Sequence, residues 1–352
     1  MSSSNVLIYG ANGYTGELIA RLASSYQLKP TLAGRNEFSI KKLANTLLLP
    51  YLIVELDDSK KLDEIVSQFS LVINAAGPFS KTAKFMVESC LRNSVHYTDI
   101  NGDISCFELV KEYNQQAIEK NCMLMPGVGF DVVPTDCVAQ LLHENLPDAV
   151  DLKIAFATVG STISHGTANT MTEKMGEAGA RRVNGVIVSA KLGEHGMMVD
   201  FGDKNLFCMS IPWGDVSTAF QTTGIPNIET FTCVNPMLYK QLKYQKIFNW
   251  LLRTSAVRRY AKNKIKSRPA GPSQSMRDNG KCFVWGKATN LAGDIKEALL
   301  NGPEGYSFTA HSTLIIANEI LNGNWKAGYQ TPAGWYGYKL AEKIPGVKIS
   351  LR

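Results

Sequence analysis

Val6-Leu7-Ile8-Tyr9-Gly10-Ala11-Asn12-Gly13-Tyr14-Thr15-Gly16 begins the first patterned stretch of the chain. The four residues before Gly10 are apolar, which suits a short strand buried on both faces. Glu17-Leu18-Ile19-Ala20-Arg21-Leu22-Ala23 then has helical spacing. Three glycines therefore sit between a strand and a helix, the setting in which such a turn cradles a dinucleotide phosphate. Gly10 allows the tight turn, Gly13 lets backbone approach a pyrophosphate, and Gly16 lets the helix pack close to the strand. The N–H groups of the first helical turn face the anion. Asn12, Tyr14 and Thr15 complete the candidate contact set in this turn. The spacing is Gly-x-x-Gly-x-x-Gly, a variant of the commoner Gly-x-Gly-x-x-Gly.

A second short apolar run, Pro30-Thr31-Leu32-Ala33, ends in Gly34-Arg35-Asn36. At the end of this strand an NAD site places an acid for the ribose 2′-hydroxyl, whereas an NADP site places an arginine for the 2′-phosphate. Arg35 occupies the position and the first acid is Glu37, so the expected cofactor is NADP, bound as NADPH. A guanidinium fork matches a phosphate geometrically.

The third strand is expected over Tyr51–Leu56 and is closed by Asp57-Asp58. Two roles are open to these acids: accepting from an adenine amino group, for which Asp57 is the candidate, or capping the helix near Ser59. Leu71–Ala76 forms the fourth strand and breaks at Gly77-Pro78-Phe79. Ala76, Gly77 and Pro78 are small or compact enough to let a ribose approach the backbone at a carboxyl strand end. Val95–Asp99 and Met123–Pro126 supply a fifth and a sixth strand, the second leading into Gly127-Val128-Gly129-Phe130-Asp131. Six strands with helical patterns between them make a doubly wound α/β sheet of the Rossmann type.

With these residues in place the chain resembles the saccharopine dehydrogenase-like oxidoreductases, a family that includes trans-acting enoyl reductases of bacterial lipid synthesis. The resemblance is carried by Gly10–Gly16, Ala33-Gly34-Arg35, Asn74–Phe79, Tyr97-Thr98-Asp99 and Pro126–Asp131. It continues through Gly166-Thr167-Ala168, Ile211–Asp215, Gly271-Pro272-Ser273 and Thr331-Pro332-Ala333. It implies an NADP-type Rossmann domain, an inserted α/β substrate domain and a C-terminal segment that returns to the first domain. It assigns the 2′-phosphate contact to Arg35 and brings no catalytic residue with it.

The expected division is a dinucleotide-binding domain over 1–131, a substrate and dimerisation domain over 132–304, and a returning segment over 305–352. The chain has 352 residues, enough for two cores, and is 45% hydrophobic, as a globular protein should be. Seven cysteines contain no Cys-x-x-Cys pair, which argues against a metal site and for reduced, buried thiols in the cytoplasm. Met1-Ser2-Ser3-Ser4 runs straight into the first strand without a targeting pattern. No apolar run approaches the ~20 residues that span a bilayer.

In the second domain a helix is expected around Cys137–Leu146, followed by strands at 152–157, 197–201, 206–211, 229–233 and 282–288, with 166–183 more helical. These suggest a mixed sheet, and 307–321 reads as a closing helix. The net charge is +6, yet no acid occurs between Glu229 and Asp278, and residues 240–268 hold ten bases. Leu238, Leu242, Phe248, Leu251, Leu252 and Val257 recur there at helical spacing, with Trp250 and Tyr260 among them. One reading is a basic amphipathic helix over 238–266 lying on an anionic membrane. The other is a solvated helix packed on its own domain. Nucleic acid is not expected, because the rest of the chain carries 27 bases and 31 acids and shows no reading motif.

The candidates for proton donor are Asp99 and Asp131 at carboxyl strand ends, and His165 in the second domain. Each also has a plain structural reading: Asp99 as a helix cap, His165 as a loop residue. A tricarboxylate substrate calls for several arginines, yet residues 131–252 hold only the adjacent Arg181 and Arg182. The leading expectation is an NADP(H)-dependent reductase of a C=O, C=N or C=C bond in a moderately apolar small molecule or acyl substrate. The alternatives are a non-catalytic NADP(H)-binding sensor and a true saccharopine dehydrogenase.

Overall fold

The computed structural model describes residues 5–242, 249–250 and 252–352. The chain forms two compact units: one is 1–133 with 306–335, the other 134–305 with 336–352.

The first unit is built on β1 (Val6–Tyr9), β2 (Thr31–Gly34), β3 (Tyr51–Ile53), β4 (Leu71–Asn74), β5 (His96–Asp99) and β6 (Met123–Met125). The spatial order is β6-β5-β4-β1-β2-β3, with Gly328–Tyr329 outside β6, and every pairing is parallel. Leu7, Ile8, Leu32, Leu71, Val72 and Ile73 are fully buried, so these strands read as unbroken apolar runs. The order reverses between β1 and β4, and at such a switch point a doubly wound sheet opens a crevice beyond the carboxyl ends. Truncating a side chain such as Ile73 to alanine costs about 2–5 kcal/mol.

The second unit contains β7 (Ala149–Val159), β8 (Gly179–Val183), β9 (Val186–Ala190), β10 (Gly196–Asp200), β11 (Asn205–Ile211), β12 (Asn227–Cys233), β13 (Lys281–Asn290) and β14 (Ile295–Pro303). The main path is β10-β11-β12-β7-β13-β14, closed by Lys348–Leu351. Only β12 with β7 is parallel, so the sheet is mixed. The helix Val133–Asn145 packs on one face: a Cβ at Gly286 would meet Val138 at 2.5 Å and Leu142 at 2.8 Å.

Three expectations need correction. Residues 336–352 belong to the second unit rather than returning to the first, because Lys348–Leu351 pairs with β14. Residues 166–183 are not one helix: the helix spans His165–Glu173, and β8 forms a hairpin with β9. Nor is 238–266 one helix. Pro236–Leu242 is helical, and a separate helix, Ser255–Lys266, starts at Thr254, whose Oγ1 accepts from the Val257 N–H at 3.4 Å. Part of that stretch, residues 243–248 and 251, lies outside the described residues.

Candidate cofactor site

The glycine turn leaves β1 with Gly10 at φ 81°, a left-handed conformation that glycine adopts freely. A Cβ at Gly10 would stand 2.6 Å from the Ala76 N and 2.8 Å from the Ala75 carbonyl carbon. The turn therefore presses directly on the end of β4. At Gly16 a Cβ would stand 2.4 Å from the Gly10 oxygen, so the helix Tyr14–Leu22 reaches the turn only because that position has no side chain. Gly13 differs: its Cβ would have one neighbour, the Gly10 oxygen at 3.3 Å, and the residue is exposed. Two glycines fit the turn to the protein, and the third leaves its outer face bare.

Helix starts in this unit divide into two kinds. Asn36, Asp58 and Asp103 each accept from the N–H of the first turn that follows, at 2.9, 3.1 and 3.0 Å. The helices Tyr14–Leu22, Phe79–Asn93 and Asn114–Glu119 begin instead at Gly13, Pro78 and Tyr113 without a side-chain cap, and the first two follow the adjacent central strands β1 and β4. An anion placed there would meet the N-terminal ends of two helix dipoles. Gly10, Asn12, Gly13, Tyr14, Thr15 and Gly16 thus lie together with Ala76, Gly77 and Pro78. Tyr14 stacks edge-on against Tyr306 at 5.1 Å, a contact from the last part of the chain that the turn motif does not reveal.

Beyond β2 the chain passes buried Gly34, where a Cβ would lie 3.2 Å from the Asn12 Oδ1, and reaches exposed Arg35. Arg35 forms no ion pair among the described residues. Its charge acts on the Tyr9 phenol, which burial raises; Arg35 lowers it again, while Glu55 and Asp57 raise it. Asp58 takes the capping role, leaving Asp57 exposed at the end of the third strand region. These residues fit the adenosine half of a dinucleotide: a free guanidinium, a free carboxylate and a glycine floor.

The two candidate aspartates differ sharply. Asp99 is fully buried. Its Oδ2 accepts from the Tyr97 hydroxyl at 2.7 Å, and its Oδ1 accepts from the N–H groups of Gly127 and Asn101 at 2.9 and 3.0 Å. Tyr97 in turn accepts from the Asn74 amide at 3.3 Å, and Asn74 Oδ1 accepts from the Ala76 N–H at 3.1 Å. Asp99 is thus a brace joining the ends of β4, β5 and β6, with its lone pairs taken and no exposure to a substrate. It does not fit the role of proton donor. His96 is also structural: its Nδ1 accepts from the Met123 N–H at 3.0 Å, and burial lowers it to about 4.

Asp131 sits at the end of the loop that follows β6. Burial alone raises its carboxyl to about 7. It packs against Gly102, where a Cβ would meet the Asp131 Cβ at 2.7 Å. The loop is clamped by the helix Gly305–Leu321: Phe130 N–H donates to Thr309 Oγ1 at 2.9 Å, and Ser312 Oγ donates to the Val128 carbonyl at 2.6 Å. A carboxyl in such a setting holds a proton near neutral pH.

His165 belongs to the second unit, where its Nε2–H donates to the Arg268 carbonyl at 2.8 Å and its backbone N–H to the Ala270 carbonyl at 2.8 Å. It ties a helix start to a loop. Arg182 is buried, donates to the Val216 and Gly185 carbonyls at 2.7 and 2.6 Å, and stacks over Phe220 at 4.1 Å. Arg181 lies 3.8 Å from Glu194.

Residues 6–125 match the family model described as the saccharopine dehydrogenase NADP binding domain, so this domain takes a nicotinamide cofactor. Among curated relatives, a lipid droplet localized protein of Caenorhabditis elegans is 24% identical over 242 residues, covering 60% of this chain and 57% of the relative. A saccharopine dehydrogenase-like oxidoreductase of Mus musculus is 26% identical over 203 residues, 51% of this chain and 47% of the relative. A trans-acting enoyl reductase of Mycobacterium bovis is 25% identical over 153 residues, 41% of this chain and 37% of the relative. The chain spans about half the length of the curated relatives it matches. Apo saccharopine dehydrogenase (L-Glu forming) from Saccharomyces cerevisiae shares the fold, with a TM-score of 0.68 at 12% identity over 99% of this chain and all of that one.

Proposed function

We propose, for a chain that belongs through residues 6–125 to the saccharopine dehydrogenase-like NADP-binding oxidoreductases, that it reduces a C=O, C=N or C=C bond of a moderately apolar or acyl substrate with NADPH. The observation that carries this reading is the turn. A Cβ at Gly10 or Gly16 would stand 2.6 or 2.4 Å from backbone, while Gly13, the helix N-cap, has open space outside and supplies no side-chain cap. The bound cofactor would supply the hydride. The chain's own residues would do the rest. The turn and the end of β4 hold the pyrophosphate, Arg35 pairs with the 2′-phosphate, and Asp131 holds a proton for the atom that becomes basic. The engagement of Arg182 with carbonyls and of Arg181 with Glu194 supports an apolar substrate over a tricarboxylate one.

The test is NADPH oxidation by the full chain over a panel of enoyl and keto thioesters, with saccharopine and NADP as a separate arm. Turnover with a thioester supports the proposal. Tight NADPH binding with no turnover in any arm favours a nucleotide-gated binding protein, and turnover confined to saccharopine overturns the substrate class.

A second reading concerns the basic segment. Trp250 and Tyr260 are 71% and 69% exposed, and Lys240, Arg259, Lys264, Lys266 and Arg268 are exposed as well. Arg258 and Lys262 face inward to Glu177 and Glu173 at 4.0 and 3.2 Å. The outward bases and rings fit an anionic membrane surface, and the name of the nematode relative points the same way. No described helix is long and apolar enough to cross a bilayer. Each base near such a surface contributes about 1 kcal/mol. The full chain should co-sediment with phosphatidylserine vesicles at low salt and release at about 1 M salt, where the Debye length is about 3 Å. Changing Arg259, Lys264 and Lys266 to Glu should abolish it; binding indifferent to salt and to these changes would leave a solvated helix.

A further inference from the structure

Two cysteines that no nucleotide contact uses lie on neighbouring strands of the second unit. Cys208 on β11 and Cys233 on β12 are register partners in an antiparallel pair. The Val234 N–H donates to the Phe207 carbonyl at 3.0 Å, so the next pair along is the hydrogen-bonded one. The cysteines therefore occupy a non-hydrogen-bonded site, where facing Cα atoms are about 4.5 Å apart and side chains lie closest. That separation falls inside the range a disulfide spans. Their sulfurs are already 2.8 Å apart, and a covalent bond of about 2.05 Å needs them to approach by less than ~1 Å. The other five cysteines are all buried.

We propose that Cys208 and Cys233 form a reactive dithiol that closes into a cross-strand disulfide by exchange with a low-molecular-weight disulfide of the glutathione class. Cys233 is half-buried and Cys208 is buried, so the order of attack is set by access. Cys233 loses its proton, and its thiolate attacks one sulfur of the small disulfide. The S–S bond breaks and one small thiolate leaves, taking a proton. Cys208 then loses its proton and attacks the Cys233 sulfur of the mixed disulfide, expelling the second small thiolate, which is protonated in turn. Two protein thiols are oxidised to one disulfide, and one small disulfide is reduced to two thiols. The hydrogen bond to Cys233 and burial raise the Cys208 thiol, so the attack falls to Cys233 first. The closed bond would tie β11, which carries β10, to β12 and so to the body of the sheet.

The test uses the reduced full chain in oxidised glutathione, followed by intact mass and peptide mapping. The expected product lacks two of its seven thiols, has lost two hydrogens, shows one cross-link between the peptides holding Cys208 and Cys233, and reverts with dithiothreitol. Cys208→Ala should instead accumulate a stable glutathione adduct on Cys233. Cys233→Ala should retain a free Cys208 and form no adduct there. A wild-type chain that keeps all its thiols, holds a lasting adduct on Cys233, or cross-links other cysteines overturns the proposal.

Discussion

In the first unit the strands are two to four residues long, wholly parallel and mostly buried; in the second they reach eleven residues, run largely antiparallel and end in exposed stretches. The difference decides where chemistry is held. Parallel strands all finish on one side, so turns that start helices without a side-chain cap, such as those at Gly13 and Pro78, gather there. Antiparallel strands finish on both sides, so their ends do not gather on one. In that unit a cation such as Arg182 serves to tie a hairpin to a helix. Backbone sites tolerate no added side chain, whereas side-chain ties are lost one at a time.

The largest test of this contrast is Gly16→Val. With a Cβ 2.4 Å from the Gly10 oxygen, the helix must leave the strand, at about 3 kcal/mol or more. Loss of the first unit's thermal transition together with NADPH binding is expected. Gly13→Val, at a position with open space, should keep the transition and lose only the binding. Equal behaviour of the two variants would refute the division of labour among the glycines.

Next is the pair of aspartates. Asp131→Asn should lower turnover by roughly 10²–10⁴-fold with NADPH affinity kept. In the wild type, turnover should fall as pH rises through about 7, where Asp131 loses its proton. The linked stability effect has a defined sign. Between the ordinary carboxylate value of 3.8 and about 7 the unfolded chain releases a proton that the folded chain keeps, so stability falls as pH rises across that window and is level above it. Denaturant titrations of Asp131→Asn should show a shallower slope, the rest coming from Asp99 and Asp151, whose carboxyls burial also raises. Asp99→Ala should act oppositely, unfolding the unit by leaving the Gly127 and Asn101 donors unpaired.

Arg182→Ala should cost roughly 3 kcal/mol of second-unit stability, from two lost carbonyl contacts and a lost ring contact, with NADPH affinity unchanged. A weakened NADPH titration would break the separation of roles between the units. The smallest effect expected is that of Arg35→Ala, about 1.5–3 kcal/mol on NADPH binding and little on NADH. Equal wild-type affinity for the two cofactors would remove the 2′-phosphate contact.

The same contrast explains what could be read from the residues. β1, β4 and β6 were legible because a buried parallel strand writes itself as an apolar run, and the glycine turn because its residues are local in sequence. Gly328–Tyr329 was not legible: two residues carry no period. β8 was hidden because Arg181-Arg182 look solvated, although Asn184-Gly185, at φ 47° and 78°, is the two-residue hairpin signal and marked the turn. β14 alternates weakly, from exposed Ile295 to buried Leu300. Asp99 was legible as a polar residue at a strand end. Its saturation depends on Gly127 N–H and Tyr97, contacts that exist only after the strands align.

The helix Gly305–Leu321 clamps a loop made almost two hundred residues earlier, and this orders events in time. A ribosome that has finished the first 133 residues must add roughly 170 more before Tyr306 emerges, about 10–35 s at ~5–20 residues per second. Through that interval the outer edge of β6 has no partner, and the stretch 128–131 lacks Thr309 and Ser312. Until then the first unit is a parallel sheet open at its β6 edge, the kind of edge that other strands can pair with. The loop that carries Asp131 is held in place only once Thr309 and Ser312 have been made.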